Sequence, residues 1–234
     1  MVDGIKSTLE CLITSEGCGE GRRIQLMNIT NKDRLIEVTS YGELALATMD
    51  TDCAHPVSSR MFIETEITEE RRTIFAKRRK RSPSDPEIHI AHFVTDTTGT
   101  LQEAEAETDR SLFIDRGRSI HRPAAFDQNA RFSNSQGCVL DPIISLRCRK
   151  KSQHMKKQSL FFGLLLPIQK KHCTIILIII DNLIYSSKNF QWRGHVHRSR
   201  CIKVASTLKK LLRIKNMQHP LSIPTEHGVF LPQY

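Results

Sequence analysis

Ser111-Leu-Phe-Ile-Asp-Arg-Gly-Arg-Ser-Ile-His-Arg-Pro-Ala-Ala-Phe126, followed by Leu140-Asp-Pro-Ile-Ile-Ser-Leu-Arg147, is the stretch on which the reading of the fold turns. It closes a region, residues 3–147, whose pattern is that of short strands. Arg23–Asn28 alternates polar and apolar residues, and Leu35–Ser40 places Ile36 and Val38 on one face, Glu37 and Thr39 on the other. Met61–Ile67, Glu87–Val94 and Gln102–Thr108 continue the theme. A two-residue period marks half-buried strands. Turn signals separate them at Asn31–Asp33, His55-Pro56, Ser82–Pro86 and Thr97–Gly99. Strands at this spacing, with few helical patterns, predict an all-β antiparallel sandwich.

The 234 residues suffice for one large β domain or two small ones. The formal charge of +10 is unevenly spread: residues 1–150 hold 21 Lys+Arg against 23 Asp+Glu, and residues 151–234 hold 14 against two, Asp181 and Glu226. The last third therefore reads as an irregular basic tail. Within it, Thr207–Lys215 is compatible with a short amphipathic helix. Seven cysteines without C-x-x-C spacing suit reduced thiols and a cytoplasmic setting. No signal-peptide pattern opens the chain. The apolar runs Leu160–Ile168 and Cys173–Ile180 are each shorter than the ~20 residues that span a bilayer, so no transmembrane helix is expected.

The motifs of residues 3–147 resemble, in order, those of the cyclic β-1,2-glucan synthases and related inverting glycoside phosphorylases, formerly glycosyltransferase family 36. Asp3–Glu10, Arg23–Thr30, Ile36–Ala47, Ala54–Val57, Phe62–Glu66, Arg78–Pro86, Glu107–Arg110 and the opening stretch carry the likeness. It implies a galactose-mutarotase-like β-supersandwich that precedes a catalytic α/α barrel. It also implies a β-glucan oligosaccharide and the missing barrel as partners. No barrel residue is matched, so no catalytic residue is carried over, and the chain alone is expected to be inert. The likeness stops after Arg147, giving a partial carbohydrate-binding sandwich over 1–147 and an unmatched tail over 148–234. A frameshift near codon 148 would explain both the lost likeness and the charge break; a genuine basic appendage is the alternative.

Within the opening stretch, Asp115, Arg116, Arg118 and Arg122 are candidate carbohydrate or interdomain contacts. Arginine forks onto carboxylates or hydroxyl-rich ligands, and Gly117 offers a backbone geometry other residues resist. The competing reading is an internal Arg–Asp pair, with Asp109 or Asp141, that fixes the loop. Lys77-Arg-Arg-Lys-Arg81 is either a polyanion patch or a solvated loop offset by Glu64, Glu66, Glu69 and Glu70. Nucleic acid is not the expected partner, but a basic nucleic-acid or anionic-surface binder using that run and the tail stands as the second functional class. Glu64/Glu66 and Glu103/Glu105/Glu107 read as solvated strand faces rather than a catalytic pair. Tyr41, Phe62, Phe75, Phe93, Phe113, Phe126 and Phe132 read as core. His195, His197 and Cys201 fall short of a metal site. No cofactor or metal is expected.

Overall fold

The computed structural model describes residues 4–13, 19–68, 72–83, 85, 88–96, 101, 104–166, 213–216 and 219–220. They form two antiparallel sheets packed face to face, as the alternation predicts. The larger contains β1 (Ile5–Ile13), β2 (Gly19–Asn28), β5 (Ile63–Ile67), β6 (Thr73–Arg78), β7 (His89–Asp96), β9 (Gly137–Cys138) and β11 (Lys157–Leu165), in the order β1-β2-β11-β7-β6-β5-β9. The smaller is organised on β10 (Pro142–Ser152). β3 (Arg34–Thr39) and β4 (Gly42–Glu43) follow one edge of β10, and β8 (Glu105–Asp109) pairs along the other. Two strands, β12 (Arg213–Asn216) and β13 (His219–Pro220), continue this sheet beyond β3.

The core lies between the sheets. β2 contributes Ile24 and Leu26, β6 contributes Ile74 and Ala76, β7 contributes Ile90 and Val94, and β11 contributes Leu160, Phe162 and Leu164. Opposite them stand Ile36 and Val38 of β3, Ala106 of β8, and Ile144, Leu146 and Cys148 of β10. Each set advances in steps of two, so one face of every strand is committed to the interior. Polar clips cross the same interface. Lys150 of β10 pairs with Asp96 of β7, and His92 Nε2 lies 2.7 Å from Ser40 Oγ while its Nδ1 meets the Gly163 carbonyl at 2.9 Å.

The boundary expected after Arg147 falls inside β10, which runs to Ser152 without interruption. β11 then occupies the larger sheet between β2 and β7. The corner joining the two sheets is tied by Asn28, whose amide donates to the carbonyls of Ser152 (3.0 Å) and Lys32 (2.7 Å) and whose own carbonyl accepts from Met155 N (2.7 Å). Residues 148–165 are therefore integral to the sandwich. β11 escaped the strand pattern because its second half is buried on both faces and reads as a continuous apolar run. Its Gly163 lies under the Phe93 ring, as Gly21 of β2 lies under Phe161; a side chain at either position would collide with the aromatic edge.

Among the described residues three short α-helices join the strands: α1 (Met49–Ala54), α2 (Pro56–Arg60) and α3 (Arg110–Ile114). The helix considered for Thr207–Lys215 is not seen at its end, where Arg213–Asn216 is extended; residues 207–212 lie outside the described residues, as do His195, His197 and Cys201. No described helix is long and apolar enough to cross a membrane.

Burial of Cys148 pushes its thiol up to about 12, whereas Cys11, Cys53 and Cys138 are exposed. Native protein treated with a disulfide reagent at pH 8 is expected to label those three while Cys148 reacts only after denaturation; labelling of Cys148 in the native state would place it outside the core. Because the folded thiol holds its proton more tightly than the unfolded one, its contribution to stability is present below pH 9 and is lost as pH rises toward 12.

Candidate functional site

The opening stretch forms a cover over the outer face of the smaller sheet. Asp109 caps α3, accepting from Ser111 N at 2.8 Å and Ser111 Oγ at 2.7 Å. α3 turns Phe113 and Ile114 inward, and Asp115, with φ of 73°, ends it. After the loop, Pro123 leads into a single turn of 3-10 helix, Ala124–Phe126. Phe113 is the hub of the small cluster beneath: its ring centroid lies 4.8 Å from Tyr41, 5.9 Å from Phe126 and 5.6 Å from Phe132. With Ile114, Ala125 and Ile143 these rings form a second core, separate from the one between the sheets. The core role read for Tyr41, Phe113, Phe126 and Phe132 holds, but on the far side of β10.

Arg147 fixes the cover to the sheet. Its side chain, 1% exposed, points outward from β10 into the second core. Its Nη1 donates to the Ala130 carbonyl at 2.9 Å and Nη2 donates to the Ala125 carbonyl. Glu37 lies 3.0 Å and Glu105 3.3 Å away as counter-ions, and the Phe132 ring stacks 3.9 Å from the guanidinium carbon. The Nε contact with Glu37 is an ion pair without a well-directed hydrogen bond. Burial pulls the guanidinium below the usual arginine value against the opposing pull of Glu37 and Glu105, yet arginine remains charged.

Two of the glutamates read as solvated strand faces, Glu105 and Glu107, belong to the same device, and Glu103 lies outside the described residues. Glu107, 2% exposed, accepts from the backbone N–H groups of Thr108, Asp109 and Ser133 and from the hydroxyls of Ser133 and Ser135, at 2.8–3.1 Å. Glu105 accepts from Phe132 N at 3.2 Å and pairs with Arg147 and Arg149. That reading is corrected for Glu105 and Glu107: the cover buries a face that alternation alone assigns to water. Glu64 does pair with cations of the basic run, Lys77 at 3.0 Å and Arg79 at 3.3 Å.

The four candidate residues sit on the outside of the cover. Arg118 Nη1 donates to both carboxylate oxygens of Asp127, at 2.9 and 2.8 Å, and its Nε lies 3.8 Å from Asp115. The loop is thus fixed by an internal Arg–Asp pair, but with Asp127 and Asp115 in place of Asp109 and Asp141. Asp109 is used as the helix cap, and Asp141 pairs with Arg60 at 2.7 Å and Arg110 at 3.5 Å. Gly117 has φ of 72°, the left-handed geometry that favours glycine. Arg116 and Arg122 are exposed, and among the described residues neither forms an ion pair. Among the described residues no group of three or more His, Cys, Asp or Glu is arranged to hold a metal.

This architecture has relatives. The profile of the family "Glycosyl hydrolase 94, supersandwich domain" matches residues 1–177. The chain belongs to that family. It is also 45% identical, over 161 residues, to the cyclic beta-(1,2)-glucan synthase NdvB of Rhizobium meliloti (strain 1021). That match covers 69% of this chain and 6% of NdvB, so the chain corresponds to a small part of its relative. The family match passes through β10 and β11, in keeping with their place in the supersandwich.

Arg147 alone gathers groups from β3, β8 and the cover. Arg147→Ala leaves Glu37 and Glu105 without their buried counter-ion and is expected to destabilise the domain by about 3–5 kcal/mol, measured by urea denaturation. A loss under about 1 kcal/mol, the scale of an exposed pair, would show that the cover is held by its aromatic rings without the guanidinium.

Proposed function

We propose that this chain is the non-catalytic, carbohydrate-contacting supersandwich of an enzyme of glucan metabolism, and that Arg116 and Arg122 carry the contact. The observation behind the reading is the loop itself. Two arginines that form no ion pair among the described residues stand on a segment held beneath by Phe113, Phe126 and Arg147 and above by the Arg118–Asp127 pair. A loop fixed in this way presents guanidinium forks to vicinal hydroxyls with little ordering left to do on binding. Membership of the supersandwich family and the likeness to a cyclic β-(1,2)-glucan synthase favour a β-linked glucan as the ligand.

Catalysis is assigned to none of these residues. Glycoside hydrolysis uses two carboxyls facing each other across the bond, about 5–9.5 Å apart. Glu105 and Glu107 are instead committed to backbone N–H groups, hydroxyls and arginines of the fold. Chemistry on a glucan therefore falls to a separate domain of the parent enzyme, and the same loop is a second candidate for contact with that domain. Residues 178–234 lie beyond the family match, although β12 and β13, drawn from them, continue the smaller sheet beyond β3. A frameshift near codon 148 is disfavoured by the unbroken course of β10, by β11 and by a family match that runs to residue 177, and the nucleotide sequence read in all three frames tests it.

Titration of a linear β-1,2-linked glucooligosaccharide into the full chain, followed by amide NMR, tests the sugar contact. Shifts confined to residues 115–127, unchanged by salt and lost in Arg116→Ala/Arg122→Ala, are expected. Absence of shifts at millimolar sugar would sink the carbohydrate role and leave the loop as a domain contact.

A further inference from the structure

The basic run Lys77–Arg81 and helix α2 are built into one corner. Arg78 Nη1 donates to the Ser59 carbonyl at 2.6 Å, Arg79 N donates to the Phe62 carbonyl at 2.7 Å, and Arg79 Nη2 reaches the Met61 carbonyl at 3.4 Å. The guanidinium carbons of Arg78, Arg79 and Arg81 lie 5.8, 5.9 and 5.1 Å from the centroid of a single ring, Phe62. That spacing is within cation–π range. The run is thus folded around an aromatic post. Among the described residues Glu64 pairs with Lys77 and Arg79, Asp85 accepts from the Arg81 and Ser82 backbone, and Asp85 and Asp52 act on the Arg78 charge.

Beside the cations stand bare apolar side chains. Val57 and Met61, one helical turn apart, are 66% and 47% exposed, and Met49 of α1 is 59% exposed. α1 and α2 are held together by Ser59 Oγ donating to Asp52 at 2.6 Å. We propose that this corner is a contact surface for an anionic lipid bilayer. The arginines and lysines meet the phosphate layer while Val57 and Met61 enter the headgroup–acyl boundary, the combination by which peripheral surfaces bind membranes. A nucleic acid would use the cations but gain nothing from exposed valine and methionine, and the one aromatic ring that bases might stack on is occupied by guanidiniums.

Co-sedimentation of the full chain with vesicles of phosphatidylcholine, alone or mixed with phosphatidylglycerol, tests this. Binding is expected to the mixed vesicles only. Arg79→Gln/Arg81→Gln is expected to lower the partition coefficient about twenty-five-fold, from about fivefold per cation. Val57→Asn/Met61→Asn is expected to lower it while leaving retention on heparin unchanged. Unaltered vesicle binding in both variants, with loss in Lys209→Gln/Lys210→Gln, would assign the affinity to the tail and overturn the proposal. So would an effect of the arginine variant alone accompanied by equal loss of duplex DNA binding. Thermal melts matching the parent's exclude misfolding as the cause in either variant.

Discussion

A single charge, the Arg147 guanidinium, joins three parts of the chain that sequence separates widely. It comes from β10, its counter-ions come from β3 and β8, and the carbonyls it binds come from Ala125 and Ala130. Burying an ion is expensive unless it is paired and fully hydrogen-bonded. Arg147 approaches that condition, with its Nε ion-paired to Glu37 but not hydrogen-bonded, only when β3, β8 and the cover are all in place. The interaction is therefore a poor source of net stability and a strong source of specificity: a misregistered strand or a displaced cover leaves a charge unpaired in the interior. Glu107 imposes the same constraint from the other sign, since its five donors are split between the end of β8, at Thr108 and Asp109, and residues 133–135.

This constraint explains why the opening stretch is so distinctive in sequence. Its apolar members fill the second core, its Arg147 and acidic partners at Glu37, Glu105 and Glu107 hold the layer down, and Arg118 with Asp127 ties the loop on top. Most of the motif is spent on attaching a third layer to a two-sheet sandwich. What is left over for a ligand is small, Arg116 and Arg122, and this division could not be drawn from residue types alone, because all the arginines of the stretch look alike until their partners are known.

The first-order fold was legible. Ile36 and Val38 against Glu37 and Thr39 did predict a strand with two unlike faces, and β2, β5, β7 and β8 fell close to the segments read as strands. What alternation did not reveal was β11. β11 lost its period because the larger sheet carries a separate apolar cluster, Ala91, Phe93 and Leu165, on its outer face. The segment Cys148–Lys151 fell on the tail side of the expected boundary, although Lys150 is held by Asp96 across the sandwich. The partners that hold these cations, Glu37 and Glu105 for Arg149 and Asp96 for Lys150, lie on other strands and cannot be read from the segment itself.

The same ambiguity separates the two basic clusters of the chain. Around Arg147 each cation has a buried carboxylate, and the positive charge is cancelled within the fold. Around Phe62 three guanidiniums share an aromatic ring, and Glu64, which Arg79 shares with Lys77, cancels only part of their charge. Charge that is held in place but not cancelled keeps its long-range field, and screening by salt reaches it far more readily than it reaches a buried pair. A rise in ionic strength should therefore weaken whatever the Phe62 corner binds while leaving the Arg147 staple, and the fold that depends on it, almost untouched.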